Sequence, residues 1–335
     1  MHATIIAMQG STLQRARAGD GDAFTELTEP YRRELHVHCY RMLGSVTDAD
    51  DLLQETMIAA WRGLDSYTGR ASLRSWLYRI ATNRCLNAIR ASKRRPRPEP
   101  LPPFEPPEPS RRSDVTWLQP YPDAWLRAVV DPVAEPAQSV ETYESVRLAF
   151  ITALQRLPPR QTATVVLRDV LGFSADEVAA MLDSTPTAVK GLLQRGRAAL
   201  AATYDAGIAG TSDDTSLARR FADAYSSDDV DALLALLTDD AWLAMPPAPH
   251  EYHGREAVGS FLRTSAAGRG GIRLVLLSTA ANGQPAFTCH LERPGEVGRE
   301  PSGVVVLTLD GDRVGGVTRF LDPRLPALFA DSGDT

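Results

Sequence analysis

The fold of the N-terminal half follows from one stretch, Thr47 to Arg97: TDADDLLQETMIAAWRGLDSYTGRASLRSWLYRIATNRCLNAIRASKRRPR. Apolar residues at helical spacing predict an acidic helix followed, after a short loop, by an arginine-rich helix. We expect Thr47 to cap the first helix and Ser72 to cap the second. Between Arg70 and Arg97 the sequence holds nine lysines or arginines and no acid. Such a cationic run predicts an anionic partner, and nucleic acid is the first candidate.

The composition sets the class of protein. A length of 335 residues predicts two or three domains, and 43% hydrophobic residues are enough to build their cores. Three cysteines (Cys39, Cys85 and Cys289) stand far apart in the sequence, which argues against a disulfide framework or a thiolate zinc site. The sequence shows neither a membrane span nor a signal peptide. We therefore expect a cytoplasmic protein with no metal and no cofactor.

The charge is distributed unevenly along the chain. The net charge is −6, yet residues 1–95 carry +4 while residues 205–335 carry −8. A basic N-terminal part is thus joined to an acidic C-terminal part, and this asymmetry indicates that the two parts differ in function.

The segment DADDLLQETMIAAWRGLDSYTGRASLRSWLYRIATNRCLNAIR, residues 48–90, resembles region 2 of the extracytoplasmic-function sigma factors of bacterial RNA polymerase. The resemblance implies that the acidic helix docks on the clamp of the polymerase β′ subunit. It also implies that the loop and the basic helix capture and melt the promoter −10 element. The expected partners are core RNA polymerase, through its β′ clamp and β subunits, and promoter DNA.

The acidic helix divides into a buried stripe and a face left for a partner. Leu53, Met57, Ala60, Trp61 and Leu64 form the predicted stripe. Acids in the first turn also complement the helix dipole, which is an alternative role for Asp48 and Asp51. The residues expected to bind core polymerase are Asp48, Asp51, Leu52, Gln54, Glu55, Ile58 and Trp61.

The loop and the basic helix hold the residue types that melted DNA requires. Cations hold single-stranded backbone, and aromatic groups stack on an extruded base. The candidates for contact with the −10 element are Tyr67, Arg70, Ser72, Arg74, Trp76, Arg79, Asn83 and Arg84. The arginines of this helix do not share one face, so some must have structural or solvent-facing roles. A core position for Trp76 remains an equal alternative.

Residues 96–136 change composition sharply. Twelve of the 24 prolines of the chain fall in this segment, which excludes regular helix and predicts an extended linker. Three aromatic residues in TWLQPYPDAWL, residues 116–126, predict that the linker docks in part onto a folded surface; they are Trp117, Tyr121 and Trp125.

Residues 139–204 predict a helix-turn-helix. Ser174 and Glu177 form a capping box, and Pro186 opens the last helix. That helix has an apolar face and an acid-free polar face, as a recognition helix in a major groove requires. LPPRQ…FSADEVAAML…TPTAVKGLLQRGRAAL resembles sigma region 4, which implies contact with the −35 element. The candidates are Thr185, Thr187, Lys190, Gln194, Arg195 and Arg197.

Beyond residue 205 the pattern changes from helices to strand-like runs joined at Asn282-Gly283 and Asp310-Gly311, an α+β layout. FADAYSSDDVDALLALLTDDAWLAMPP…YHGREAVGSFL…NGQPAF…RFLDP is similar to SnoaL-like domains, in which a cone-shaped sheet is wrapped by helices. Some such domains are enzymes and others bind ligands or partners. The candidate pocket residues are Trp242, His250, Tyr252, His253, Arg255 and Phe287, with Asp240 nearby.

The predicted protein has two all-α sigma domains followed by an α+β SnoaL-like domain. The expected boundaries are region 2 at 10–95, a linker at 96–138, region 4 at 139–204, a short linker at 205–212 and the SnoaL-like domain at 213–331. We expect a sigma factor that is not an enzyme, with the last domain acting on it in cis. The alternatives are a SnoaL-like enzyme or ligand sensor tethered to DNA, and a simple helix-turn-helix repressor.

Overall fold

The computed structural model describes residues 11–92, 104–112, 118–127, 143–203 and 215–332. Backbone contacts divide these residues into two units. The helical unit comprises residues 11–92 and 153–202, and the C-terminal unit comprises the other described segments. The domain boundaries drawn from the sequence stay predictions. The contacts group residues 104–112, 118–127 and 143–152 with the C-terminal unit.

The helical unit begins with a short helix α1 at residues 11–17, followed by α2 (Gly21–Leu43), α3 (Val46–Gly63) and α4 (Leu73–Ser92). The hydroxyl of Ser45 accepts a hydrogen bond from the Asp48 N–H and caps α3. The cap predicted at Thr47 was therefore wrong, because α3 starts earlier. Gly44, in the left-handed region at φ 69°, ends α2 directly before that cap.

The core between α2, α3 and α4 is apolar and closely packed. Leu35, Tyr40, Leu77 and Tyr78 are fully buried there. Cys39 and Cys85 lie side by side in it, although 45 positions separate them in the sequence, and all three cysteines of the chain are free thiols. The contact with Cys39, together with burial, holds the pKa of the Cys85 thiol well above its usual value.

The helix-turn-helix part follows with α6 (Leu148–Gln155), α7 (Pro159–Val165), α8 (Ala175–Met181) and α9 (Pro186–Thr203). A π-helical turn, Val166–Val170, continues α7. The predicted capping box is confirmed, because the Ser174 hydroxyl accepts from the Glu177 N–H and the Glu177 carboxylate accepts from the Ser174 N–H. Gly196 lets α9 approach α7, since a Cβ there would lie 2.7 Å from a methyl of Val165.

The C-terminal unit is built on a curved mixed sheet. Its strands are β1 (Arg111–Arg112), β2 (Leu237–Ala244), β3 (His250–His253), β4 (Arg273–Ala281), β5 (Gln284–Glu292), β6 (Glu300–Asp310) and β7 (Arg313–Phe320). The spatial order is β1-β3-β2-β7-β6-β5-β4, with β2 and β7 parallel and the other neighbours antiparallel. The predicted α+β class and the strand runs that became β4 to β7 are confirmed.

Three helices bury one face of this sheet: α10 (Thr215–Ser226), α11 (Val230–Leu236) and α12 (Arg255–Gly268). Val305 and Leu307 of β6 point into the core that these helices cover, together with Phe221 and Phe261. The sheet bends at a bulge between Cys289 and His290. No helix in the described part of the chain is both long enough and apolar enough to cross a membrane.

Candidate nucleic-acid interface

Helix α4 begins where the sequence predicts, because the Ser72 hydroxyl accepts a hydrogen bond from the Ser75 N–H at 3.0 Å. Leu77, Ala81 and Cys85 turn one face of the helix into the core. Among the residues predicted for the −10 element, Arg70, Ser72 and Arg79 are exposed. The others are half-buried: Tyr67, Arg74, Trp76, Asn83 and Arg84.

Arg74 is held by neighbours on several sides. Its Nε lies 3.1 Å from the Glu34 carboxylate. Its guanidinium carbon lies 5.0 Å from the ring centre of Tyr78 and 4.7 Å from that of Phe173. An arginine between an acid and two aromatic rings contributes cation–π and charge-assisted contacts to the fold. Contact of Arg74 with DNA stays a prediction, and the side chain already has a structural role.

The outward face of α4 meets the helix-turn-helix within the helical unit. The Arg79 guanidinium lies 3.1 Å from the Asp183 carboxylate, in the turn between α8 and α9. The Ser75 hydroxyl donates to the Glu177 carboxylate at 2.9 Å, and the Asn83 amide donates to the Met181 carbonyl at 3.4 Å. Acidic side chains thus lie against the α4 face that is predicted to hold phosphates. DNA can reach this face only after these contacts open.

Three further contacts hold the ends of the predicted −10 surface. Arg84 forms a salt bridge with Glu55 at 2.9 Å, which joins α4 to the helix predicted to bind polymerase. The rings of Tyr67 and Trp76 lie 5.1 Å apart, and the Tyr67 hydroxyl donates to the Ala71 carbonyl at 3.0 Å. Trp76 is half-buried, so one part of its ring packs and another meets solvent.

Helix α3 presents an apolar patch between acids. Ile58 is 51% exposed and Trp61 is 37% exposed, where a stripe buried through Trp61 had been predicted. The Trp61 ring rests edge-on against Phe24 at 5.0 Å and leaves the rest of its surface to solvent. The predicted polymerase residues Asp51, Gln54 and Glu55 are exposed beside the patch, and Asp48 is half-buried. Large exposed apolar side chains among polar ones indicate a protein-binding surface.

Leu52 does not belong to this surface. Its side chain is only 8% exposed, because its position on α3 directs it toward the helical core beside Leu53. The prediction that Leu52 contacts polymerase is therefore corrected, since a side chain in the core cannot reach a partner.

Helix α9 exposes all six residues predicted for the −35 element, while Val189 and Leu193 are buried on its other face. The Thr185 hydroxyl accepts from the Ala188 N–H at 3.2 Å and caps the helix. Lys190, at the second turn, is exposed. Arg197 is also exposed, and forms a two-point salt bridge with Asp169, with N–O distances of 2.6 and 2.8 Å.

The six residues predicted for the C-terminal pocket differ in burial and in local contacts, and a pocket formed by them stays a prediction. Phe287 is buried in the core. Tyr252 is also buried, with its ring centre 4.8 Å from that of Phe261, and its hydroxyl donates to the Pro107 carbonyl at 2.8 Å. The His253 ring lies 3.1 Å from the Glu251 carboxylate.

The remaining pocket candidates also have local roles. Arg255 donates to the Leu237 carbonyl at 3.2 Å, through Nε, and pairs with Asp239 at 3.2 Å. His250 is buried, and the Trp242 ring packs so tightly over Gly316 that a Cβ there would lie 2.4 Å from it. A surface pocket of about 520 Å³ opens elsewhere in the C-terminal unit; it is lined by Asp223, Ser226, Ser227, Asp228, Gly271, Ile272 and Arg273. Within the described segments no three His, Cys, Asp or Glu side chains gather as metal ligands.

Sequence reasoning missed the acids that face the α4 and α9 cations. Glu34, Asp169 and Asp183 carry no spacing signal toward their arginines, and Asp183 is 104 positions from Arg79. Glu177 was identified only as a cap. Its contact with Ser75 joins residues 102 positions apart. No local pattern predicts such pairs.

Comparison with known proteins covers all three parts of the chain. The Sigma-70 region 2 family model matches residues 27–95, the Sigma-70 region 4 model matches residues 147–200, and the SnoaL-like domain model matches residues 218–320. The ECF RNA polymerase sigma factor SigG of Mycobacterium tuberculosis is 42% identical over 321 residues, which is 93% of this chain and 84% of that protein.

Two other relatives extend the comparison. The ECF RNA polymerase sigma factor SigM of Mycobacterium tuberculosis is 34% identical over 55% of this chain and 78% of its own length. The crystal structure of the Mycobacterium tuberculosis extracytoplasmic function sigma factor SigJ matches this chain with a TM-score of 0.57 at 20% identity. The match covers 91% of this chain and 97% of that chain, so the two proteins share a fold. This chain belongs to the ECF sigma factors of RNA polymerase, which direct the polymerase to promoters, and carries a SnoaL-like domain at its C-terminal end.

Proposed function

We propose that the helical unit divides promoter recognition among three surfaces. The exposed side of α3 binds core polymerase, the loop before α4 and α4 itself bind the melted −10 element, and the polar face of α9 binds the −35 element. One observation carries the proposal: α9 exposes six polar residues, none of them acidic, opposite the buried Val189 and Leu193. This face suits phosphates and base edges in a major groove.

The contacts between α4 and α8 are weak enough for DNA to replace. The Arg79–Asp183 pair is half-exposed on the arginine and largely exposed on the acid. Exposed ion pairs contribute only about 0–1 kcal/mol. A phosphate offers Arg79 the same kind of partner, so exchange of a carboxylate for a phosphate costs little. The described arrangement therefore serves as a resting state that promoter DNA opens.

The C-terminal unit acts on the sigma factor in cis and performs no catalysis in this proposal. Supporting it, the side chains suited to acid–base chemistry already have structural partners: His253 lies against Glu251, and Tyr252 bonds to Pro107. An enzyme needs such groups aimed at substrate instead. The site of action is the cytoplasm, where polymerase and promoter DNA meet.

The test is transcription by core RNA polymerase with the purified full-length chain, from promoter fragments selected by the wild-type holoenzyme. We expect Lys190→Ala together with Arg195→Ala to weaken promoter binding and to reduce the salt dependence of binding by about one unit of slope per lost phosphate contact. Arg220→Ala, an exposed arginine on α10, is the matched control and should change neither. Unchanged binding by the α9 variant would refute the proposed −35 surface.

A further inference from the structure

The sheet of the C-terminal unit is buried on both of its faces. Helices α10, α11 and α12 cover the face that includes Val305 and Leu307. Val304 and Val306 point to the opposite face and are equally buried, at 0% exposure. The 3-10 helical segment Leu325–Ser332 contacts β5 and β6, and also contacts α5 (Asp123–Arg127), which lies against β4. Part of the chain between the two helical regions therefore belongs to the cover of this sheet.

The turn between β4 and β5 holds two separate pieces of that connecting chain. Asn282 has a φ of 59°, which a two-residue hairpin turn favours. It is also fully buried, which is unusual for a hairpin tip. Its side-chain oxygen accepts from the Tyr121 N–H at 2.8 Å, and its side-chain nitrogen donates to the Val146 carbonyl at 2.5 Å. Its own N–H donates to the Tyr121 carbonyl at 2.9 Å. One asparagine thus ties two residues of the connecting chain, 25 positions apart, to each other and to the sheet.

The two residues after Asn282 complete this arrangement, which we name the linker clasp. The Gly283 N–H donates to the Asp123 carboxylate at 2.9 Å, and the Leu148 N–H donates to the Gln284 side-chain oxygen at 3.4 Å. The bridge between Pro122 and Ala281 aligns the linker with the end of β4. The linker clasp consists of Tyr121, Pro122, Asp123, Val146 and Leu148 bound to Ala281, Asn282, Gly283 and Gln284.

An earlier piece of the same connection docks at the far edge of the sheet. Arg111 and Arg112 form β1 and pair with Glu251 and His250 of β3. The Ser110 hydroxyl accepts from the His253 N–H at 3.0 Å. The backbone pairing of β1 with β3 is β-strand addition, the mode by which sheets bind extended peptides. Both ends of the sheet are therefore occupied by linker.

We propose that the linker is a ligand in cis of the C-terminal sheet, and that opening of the linker clasp supplies the tether that promoter engagement needs. This inference rests on the proposed sigma function. With the linker docked, only residues 93–103 connect α4 to the docked chain, a span of at most roughly 40 Å. With the linker released, residues 93–147 become available and span up to about 180 Å.

The promoter elements set the distance that the tether must serve. Elements centred near −35 and −10 lie about 25 base pairs, or about 85 Å, apart along duplex DNA at ~3.4 Å per base pair. A short tether keeps α4 and α8 at high effective concentration and so favours their contact, whereas a long tether lowers that concentration. The C-terminal unit regulates the sigma factor through the length of tether that it leaves free.

A reversible lock tests this inference. Pro122→Cys combined with Ala281→Cys places two thiols at directly paired positions of an antiparallel bridge, where a disulfide fits. We expect the oxidised full-length variant to support transcription at least about tenfold less than its reduced form, because the disulfide holds residue 122 at the end of β4 and the tether cannot reach the full length of residues 93–147. The wild-type chain treated with the same oxidant is the control; its three cysteines are buried and free, and we expect no change.

A second variant acts in the opposite direction. Asn282→Gly keeps a residue suited to positive φ and removes the two side-chain bonds that Asn282 makes to Tyr121 and Val146. We expect faster hydrogen exchange of residues 118–127 in the full-length chain, with transcription equal to or above that of the wild type. Asp312→Ala, at the exposed β6–β7 turn, is the control.

The outcomes separate the two proposals. Equal transcription by the oxidised and reduced locked variants, while the α9 variant loses promoter binding, overturns the tether inference and leaves the sigma surfaces standing. Transcription lost by Asn282→Gly while its linker exchanges faster also overturns the inference, because a free tether would then be harmful. Undiminished promoter binding by the α9 variant instead refutes the proposed −35 surface.

Discussion

Replacement of Asp123 by asparagine should make the linker clasp insensitive to pH. Burial raises the pKa of the Asp123 carboxyl from 3.8 to about 6, although the Gly283 N–H and the nearby Arg127 act to lower it. Tyr143 also faces this carboxyl, and burial and Asp123 together raise the pKa of its phenol. The clasped state therefore holds a proton that the released, solvated carboxyl would lose.

The direction of the pH dependence follows from that difference. Below about pH 4 the carboxyl is protonated in both states, so pH has no effect on clasp stability through this group. As pH rises from 3.8 to about 6, the clasped state retains the proton and stability falls. Above about pH 6 the carboxyl is ionised in both states, and the clasp loses no more stability through this group. At 1.36 kcal/mol per pKa unit the loss amounts to about 3 kcal/mol, an upper bound for a carboxyl that keeps one hydrogen bond.

The assay is hydrogen exchange of residues 118–127 in the full-length chain between pH 5 and pH 7.5, corrected for intrinsic exchange rates. Asparagine is neutral at every pH and its amide oxygen can still accept from the Gly283 N–H. We expect Asp123→Asn to exchange up to about a hundredfold more slowly than wild type at pH 7.5, with little difference between the two pH values. Asp312→Asn, on an exposed turn, should behave as wild type. Wild-type protection that increases with pH would refute the reasoning.

Two further predictions concern the helical unit. Ile58→Asp should weaken binding to core polymerase at least about tenfold, because it places a charge in an apolar patch where Ile58 is 51% exposed. Fluorescence anisotropy would measure the affinity, with Arg62→Gln as the exposed control. Unchanged affinity would exclude the patch as the polymerase-binding surface. Asp183→Asn should raise affinity for single-stranded DNA by up to about fivefold, because Arg79 loses its carboxylate partner while asparagine tolerates the φ of 46°. A gel-shift titration would measure the affinity. Weaker binding would contradict the idea that Asp183 competes with DNA for Arg79.

The elements whose signals are local follow from the sequence without the structure. Apolar spacing predicted α3, α4 and α9, and the capping box at Ser174 marked the start of α8. Alternating strands with turn dipeptides predicted β4 to β7. These succeeded because helix periodicity, capping and hairpin turns depend on residues a few positions apart. The family resemblance rested on the same long local pattern.

Which surfaces are free follows from the packing of the elements and not from local sequence. The contact of Arg79 with Asp183, the pairing of β1 with β3 and the burial of Asn282 all join residues distant in sequence. The burial of Leu52 likewise depends on how α3 packs against its neighbouring helices. Such contacts depend on how complete elements pack, and a single sequence carries no periodic signal for them. The sequence therefore predicted a linker between sigma domains, and packing places the described segments 104–112 and 118–127 of that linker against the C-terminal sheet.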